Sequence, residues 1–143
     1  MKKFIPFMLL LALFTGSYAC NGPASSSPAG NAAVTAGKKV EVYYFHFTRR
    51  CMTCQNVENV SKKAVETLYP EQVKKGDIVF KSVNLEEKEG EILGIKYKIE
   101  GQTLIVISGT NRIDLTDKGF LYANNNPEKL TAEIKKAVDG MMK

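Results

Sequence analysis

A pair of cysteines lies at the junction between a strand-like and a helix-like segment of the sequence. Residues 40–47 are mostly β-branched or aromatic on both alternating faces, which is typical of a strand covered on each side. Cys51 and Cys54 follow, and apolar residues then recur at three-four spacing through residues 57–68, the pattern of one helical face. We therefore expect strand, turn and helix, with both cysteines where the helix begins.

The N-terminal segment has the pattern of an export signal. Lys2 and Lys3 precede an apolar run at residues 4–14, and small residues then lead to Cys20. The run is shorter than the roughly 20 apolar residues that a membrane-spanning helix needs. We expect residues 1–19 to be a signal peptide that is removed.

The residues around Cys20 resemble the lipobox of bacterial lipoproteins, in which a small residue precedes a cysteine that becomes acylated. The resemblance implies lipidation of Cys20 and a membrane-anchored lipoprotein facing the periplasm; Asn21 after the cysteine favours the outer membrane. Simple secretion is the alternative. Residues 21–37 are uncharged and rich in Gly, Pro, Ser, Ala and Asn, as expected of a flexible linker. The folded domain is then expected at residues 38–143.

Composition and charge argue against a nucleic-acid binder. The chain has 143 residues, 44% of them hydrophobic, which suits one domain. Its net charge of +5 falls to +3 when Lys2 and Lys3 are taken from the 20 basic residues and set against 15 acidic ones. Basic residues are scattered among acidic ones, without the stripe that nucleic acid requires. We expect that the protein has no nucleic-acid partner and that it is a monomer.

The remainder of the folded segment alternates between strand and helix patterns. Runs of β-branched residues predict three further strands, and apolar residues at helical spacing predict two further helices. Pro127 is placed to open the last helix. The predicted elements are a strand at 77–85, a short helix carrying residues 92–95, a hairpin of strands at 103–107 and 112–116, and a helix from residue 127. The predicted order is β-α-β-α-β-β-α.

This order, with a Cys-x-x-Cys pair where the first strand meets its helix, resembles the thioredoxin-like superfamily over nearly all of residues 39–142. The resemblance implies an α/β fold with a four-stranded mixed sheet covered by helices on both faces. It implies a redox-active dithiol that needs no cofactor and exchanges electrons with protein thiols or disulfides and a membrane redox partner. Residues 44–54 also resemble a group of small bacterial thioredoxin-like proteins named as a nitroreductase subunit.

Disulfide exchange gives the two cysteines different tasks. A thiol attacks as its thiolate, which a helix N-terminus and neighbouring cations stabilise. We expect Cys51 to attack and Arg49 and Arg50 to stabilise its thiolate. Cys54, one helical turn further on, is expected to resolve the mixed disulfide.

Two departures from the thioredoxin pattern bear on the chemistry. Phe45 occupies the place, six residues before Cys51, where the family has a buried acid, so no general base is identified. Gly101, Gln102 and Thr103 correspond to the loop that faces the dithiol in the family and pairs with substrate like an added strand. Gln102 stands there in place of the family's cis-proline.

Three other interpretations of the cysteine pair stay open at this point. Cys51, Cys54 and His46 offer soft ligands suited to Cu(I), so the chain could be a copper-binding or copper-delivery lipoprotein. In an exported protein the pair could also be a structural disulfide. Finally, the fold could serve as a non-catalytic binding module.

Overall fold

The computed structural model describes residues 39–143, and the signal peptide, Cys20 and linker predicted before them lie outside that range. The strands are β1 (Val40–His46), β2 (Ile78–Asn84), β3 (Thr103–Ser108) and β4 (Asn111–Asp114). The helices are α1 (Met52–Leu68), α2 (Pro70–Lys75), α3 (Lys88–Tyr97), α4 (Thr116–Tyr122) and α5 (Pro127–Met142). None of these helices is both long enough and apolar enough to cross a membrane.

The four strands form one mixed sheet in the order β2-β1-β3-β4. β1 runs parallel to β2 and antiparallel to β3, and β3 and β4 form the predicted antiparallel hairpin. A strand flanked on both sides has both faces available for burial, and six of the seven residues of β1 are buried. The predicted burial of this strand on both faces is confirmed.

Alternating side chains of β1 divide the interior into two cores. Val42 and Tyr44 pack on one face of the sheet with residues of α1 and α5, among them Val57 and Leu130. Tyr43 and Phe45 point to the other face, as successive strand residues do, and pack there with residues of α3 such as Leu93 and Tyr97. Helices therefore cover both faces, and the predicted thioredoxin-like α/β fold is confirmed.

Two short helices, α2 and α4, were not expected from the sequence pattern. α2 begins at Pro70 and ends before Gly76, which adopts φ 79°, a conformation natural to glycine. α4 begins at Thr116, at the end of the segment predicted as the last strand. The Asp114 carboxylate accepts a hydrogen bond from the Thr116 N–H at 2.9 Å, which helps to turn the chain from β4 into α4.

Candidate active site

The two cysteines lie at the edge of the sheet where β1 ends and β3 begins. Because β1 and β3 are antiparallel, with Phe45 opposite Thr103, the segment that follows β1 meets the segment that precedes β3. Gln102 therefore lies beside the loop that leads from β1 to Cys51. Strand register, rather than closeness in sequence, brings these groups together.

Hydrogen bonds to Thr48 hold the loop between β1 and α1. The Thr48 N–H donates to the Glu86 carboxylate at 2.8 Å, and its hydroxyl accepts from the Asn84 side chain at 2.9 Å. The bonds from Thr48 hold the pKa of Glu86 below its ordinary value. The loop before the cysteines is thus fastened to the chain that follows β2.

Cys51 is the N-cap of α1, as predicted. It has extended backbone angles, φ −76° and ψ 168°, and its Sγ accepts a hydrogen bond from the Cys54 N–H at 3.4 Å. Its side chain is exposed. A hydrogen bond from the Cys54 side chain, followed by the Cys54 and Thr53 N–H groups, lowers the pKa of the Cys51 thiol. An accessible thiol with a lowered pKa is suited to nucleophilic attack.

Cys54 has the opposite surroundings. It is 3% exposed and belongs to the buried face of α1. Its thiol donates to Gln102 Oε1 at 2.9 Å, and burial, the largest cause, raises the pKa of Cys54. A thiol carries one proton, so the Cys54 S–H can donate a hydrogen bond either to Gln102 Oε1 or to the Cys51 thiolate. The two cysteines are therefore chemically distinct before any substrate arrives.

We predict that the pH dependence of alkylation of the reduced chain by iodoacetamide reflects the lowered pKa of Cys51. The thiolate is the reactive form, so Cys51 should react with a midpoint at lower pH than an unperturbed cysteine shows. Cys54→Ala removes the hydrogen bond that contributes most to the lowered pKa, and should move the midpoint to higher pH. Both chains carry Cys20→Ser, so that no third thiol reacts. A midpoint at the ordinary value, or no upward movement in Cys54→Ala, would contradict the prediction.

The two arginines before Cys51 lie in different surroundings. Arg50 is half-buried and ion-paired with Glu58 of α1, whereas Arg49 is exposed. The causes that lower the pKa of Cys51 are hydrogen bonds around the first turn of α1, with no arginine among them. Stabilisation of the thiolate by Arg49 and Arg50 stays a prediction.

The loop before β3 is half-buried at Gly101, Gln102 and Thr103. The Thr103 hydroxyl donates to the Gly101 carbonyl at 2.9 Å, which turns the chain sharply before the strand starts. The expected position of Gln102 opposite the dithiol is confirmed by its bond to the Cys54 thiol. Pairing of this loop with a substrate stays a prediction.

His46 does not join the two cysteines. It is 8% exposed, and its Nδ1 donates to the carbonyl of neighbouring Phe47 at 2.9 Å. Within residues 39–143, no group of three or more His, Cys, Asp or Glu side chains is placed to hold a metal ion. The described residues therefore do not bring Cys51, Cys54 and His46 together as a ready-made ligand set, and copper binding by these residues stays a prediction.

Phe45 does not lie on the face of β1 that packs against α1. Phe45 was aligned with the family's buried acid, but it faces α3 on the opposite side of the sheet from Cys54. Tyr44 lies on the side that faces α1 and is fully buried. Successive residues of a strand point to opposite faces of the sheet. An alignment that is displaced by one residue therefore assigns the family's buried position to a residue on the wrong face.

A small amide network beside the cysteines also escaped prediction. Asn124, in the segment between α4 and α5, donates to the Thr53 hydroxyl at 2.9 Å and accepts from the Asn56 side chain at 2.8 Å. These bonds fasten that segment to the first turns of α1. The residues lie far apart in the sequence, and no local sequence pattern predicts their contact.

The fold and the site together define a thioredoxin-like domain with a dithiol at the start of its first helix. No protein-family model and no curated protein matches the sequence. Among solved structures, a malarial protein is similar at 21% identity and TM-score 0.46, over 71% of this chain and 99% of that one. The thioredoxin Deadhead of Drosophila melanogaster is similar at 21% identity and TM-score 0.43, over 69% and 81% of the two chains. Fasciola hepatica thioredoxin is similar at 21% identity and TM-score 0.41, over 70% and 82%.

Proposed function

We propose that the chain is a thiol-disulfide oxidoreductase of the bacterial envelope that works through Cys51 and Cys54. The observation that carries the proposal is the contrast between the two thiols. Cys51 is exposed with a lowered pKa, and Cys54, within one helical turn, is buried with a raised pKa. Such a pair is suited to attack by the first cysteine and intramolecular resolution by the second.

The proposed reaction has two steps. The Cys51 thiolate attacks one sulfur of a partner disulfide, the partner S–S bond breaks, and the released partner thiolate takes up a proton. Cys54 then loses its proton and attacks Cys51 Sγ, which forms the Cys51–Cys54 disulfide and releases the second partner thiol. Two electrons pass from the chain to the partner, and the reverse sequence oxidises a partner dithiol.

The proposed location and partners come from the sequence. Lipidation at Cys20, with residues 21–37 as a linker, would hold the domain at the periplasmic side of a membrane, with the outer membrane preferred. Its partners would be envelope proteins with thiols or disulfides, and a membrane redox protein that restores the active form. The likeness to proteins named as a nitroreductase subunit fits a role in electron delivery.

The proposal is tested by trapping the intermediate in cells. We expect a full-length Cys54→Ser variant to accumulate mixed disulfides with envelope proteins, because Cys51 attacks but nothing resolves the product. The adducts are measured as bands of higher mass on non-reducing gels that disappear after reduction, and mass spectrometry identifies the proteins joined to Cys51.

A Cys51→Ser/Cys54→Ser chain is the matched control, and it should form no such adducts. Absence of Cys51-dependent adducts in cells that produce the Cys54→Ser chain would overturn the proposal. That result would favour a non-catalytic binding module, since such a module keeps its partners without exchange of disulfides.

A further inference from the structure

The hydroxyl of Tyr44 is buried, and no group in the described part of the chain lies in standard hydrogen-bond geometry with it. Tyr44 is 0% exposed, and within residues 39–143 its Oη is one of three buried side-chain polar atoms without a hydrogen-bond partner, the others belonging to Ser61 and Ser108. Buried hydroxyl groups are normally paired, because an unpaired one loses its bond to water and receives nothing in return. The Tyr44 hydroxyl is therefore available to donate to a neighbouring group that gains negative charge.

Tyr44 and Cys54 lie on surfaces of β1 and α1 that pack against each other. Tyr44 lies on the face of β1 that packs against α1, and Cys54 lies with Val57 on the buried face of α1. After burial itself, the nearby Cys54 thiol is the largest cause that raises the pKa of Tyr44, and Cys51 contributes less. The raised pKa keeps the phenol protonated at neutral pH, where it can act as a hydrogen-bond donor.

Charged and titratable groups around the hydroxyl come from three parts of the chain. Arg50, in the loop before α1, lowers the pKa of Tyr44 and so opposes the effect of the two thiols. On β1 itself, His46 lies on the same face, with its ring centroid 6.0 Å from that of Tyr44. Cys51 and Cys54 complete the set at the start of α1.

The resolving step needs a donor that the bond to Gln102 does not supply. In the reduced state the Cys54 S–H donates to Gln102 Oε1. Once Cys54 has lost its proton, that carbonyl oxygen has nothing to donate to the thiolate. A thiolate formed in a buried position is strongly disfavoured unless a donor faces it.

We propose that the Tyr44 hydroxyl donates a hydrogen bond to the Cys54 thiolate as it forms, and so stabilises the nucleophile that resolves the mixed disulfide. This inference rests on the proposed function. Tyr44 gives up no proton and takes part in no electron transfer. The proton that Cys54 loses passes to the medium or the departing partner thiolate, and the Cys54 electron pair forms the new bond to Cys51 Sγ.

The test follows both chemical steps in one reaction. The reduced full chain, carrying Cys20→Ser, is mixed with dithiobisnitrobenzoate, and the coloured nitrothiobenzoate is followed by stopped flow. Attack by Cys51 releases the first anion at a rate proportional to reagent concentration. Resolution by Cys54 releases the second anion at a rate independent of that concentration.

We expect Tyr44→Phe to slow the second phase by about tenfold and to leave the first phase unchanged, since one charge-assisted hydrogen bond is lost. The pH midpoint of the second phase should rise by about one unit. The melting temperature should be unchanged or higher, because the substitution removes an unpaired buried hydroxyl. A purely structural role would instead lower the melting temperature or alter both phases.

Tyr43→Phe is the matched control, because Tyr43 is its buried neighbour on the opposite face of β1. It should leave both phases unchanged. An unchanged second phase in Tyr44→Phe would overturn the inference and leave the Gln102 amide, turned to present Nε2, as the donor. If the parent chain, which carries Cys20→Ser and keeps Tyr44, showed no first phase, that result would count against the proposed function itself.

Discussion

Replacing Gly90 by alanine should lower the free energy of unfolding by about 3 kcal/mol or more. Gly90 lies in the first turn of α3, which packs directly against the end of β2. A Cβ atom there would lie 1.8 Å from the Asn84 carbonyl oxygen and 2.5 Å from its carbon. These are backbone atoms that no side-chain rotation can move, so α3 or the end of β2 must shift. Thermal unfolding should show a melting temperature lower by more than about 10 °C.

Gly140→Ala is the matched control for this prediction. Gly140 also lies in a helix, α5, but a Cβ atom there meets nothing within 4 Å. Alanine is the better helix former by about 1 kcal/mol, so Gly140→Ala should leave stability unchanged or raise it. Equal stabilities for the two variants would contradict the close contact between α3 and the end of β2.

The long elements could be predicted from the sequence because burial imposes their periodicity. β1 is buried on both faces, and α1 places Val57, Ala64 and other apolar residues on one side. The two missed helices lack that signature. α2 contains no buried residue and α4 only Gly119, so tertiary burial leaves almost no pattern in either sequence.

The site was predictable where one element determines it. The spacing of Cys51 and Cys54, combined with the helical pattern that follows, was enough to place Cys51 at an N-cap. The position of Gln102 came from its resemblance to the family's loop, and the antiparallel register of β1 and β3 explains it. Tyr44 was missed because β1 is apolar or aromatic on both faces, so its pattern does not reveal which residues face α1.

The contrast between the cysteines follows from their different positions in one helical turn. Cys51 caps α1 from outside, where unpaired N–H groups favour negative charge. Cys54 belongs to the helix proper, on the face that α1 turns toward the sheet. The same turn thus exposes one sulfur and encloses the other, and the order of the two steps in the proposed reaction is a consequence of this geometry.

Replacing Cys51 by serine should lower the rate of reaction with dithiobisnitrobenzoate by at least about a thousandfold, because the attacking thiolate is lost. The remaining thiol, Cys54, is 3% exposed and has a raised pKa, so it is a poor substitute. The fold should be unaffected, since serine is a preferred N-cap residue and can accept the same N–H bond. The rate is measured on the full chain carrying Cys20→Ser, with the melting temperature as the check on folding.

Cys54→Ser is the matched variant for this prediction, because it makes the same chemical change at the other cysteine. It should keep the rate of attack within about tenfold of the parent, since a serine hydroxyl can still donate to the Cys51 thiolate. It should release one nitrothiobenzoate per chain instead of two, because the adduct on Cys51 is not resolved. Similar losses of attack rate in both variants would show that the thiols share the nucleophilic role, and would contradict the assignment of attack to Cys51 alone.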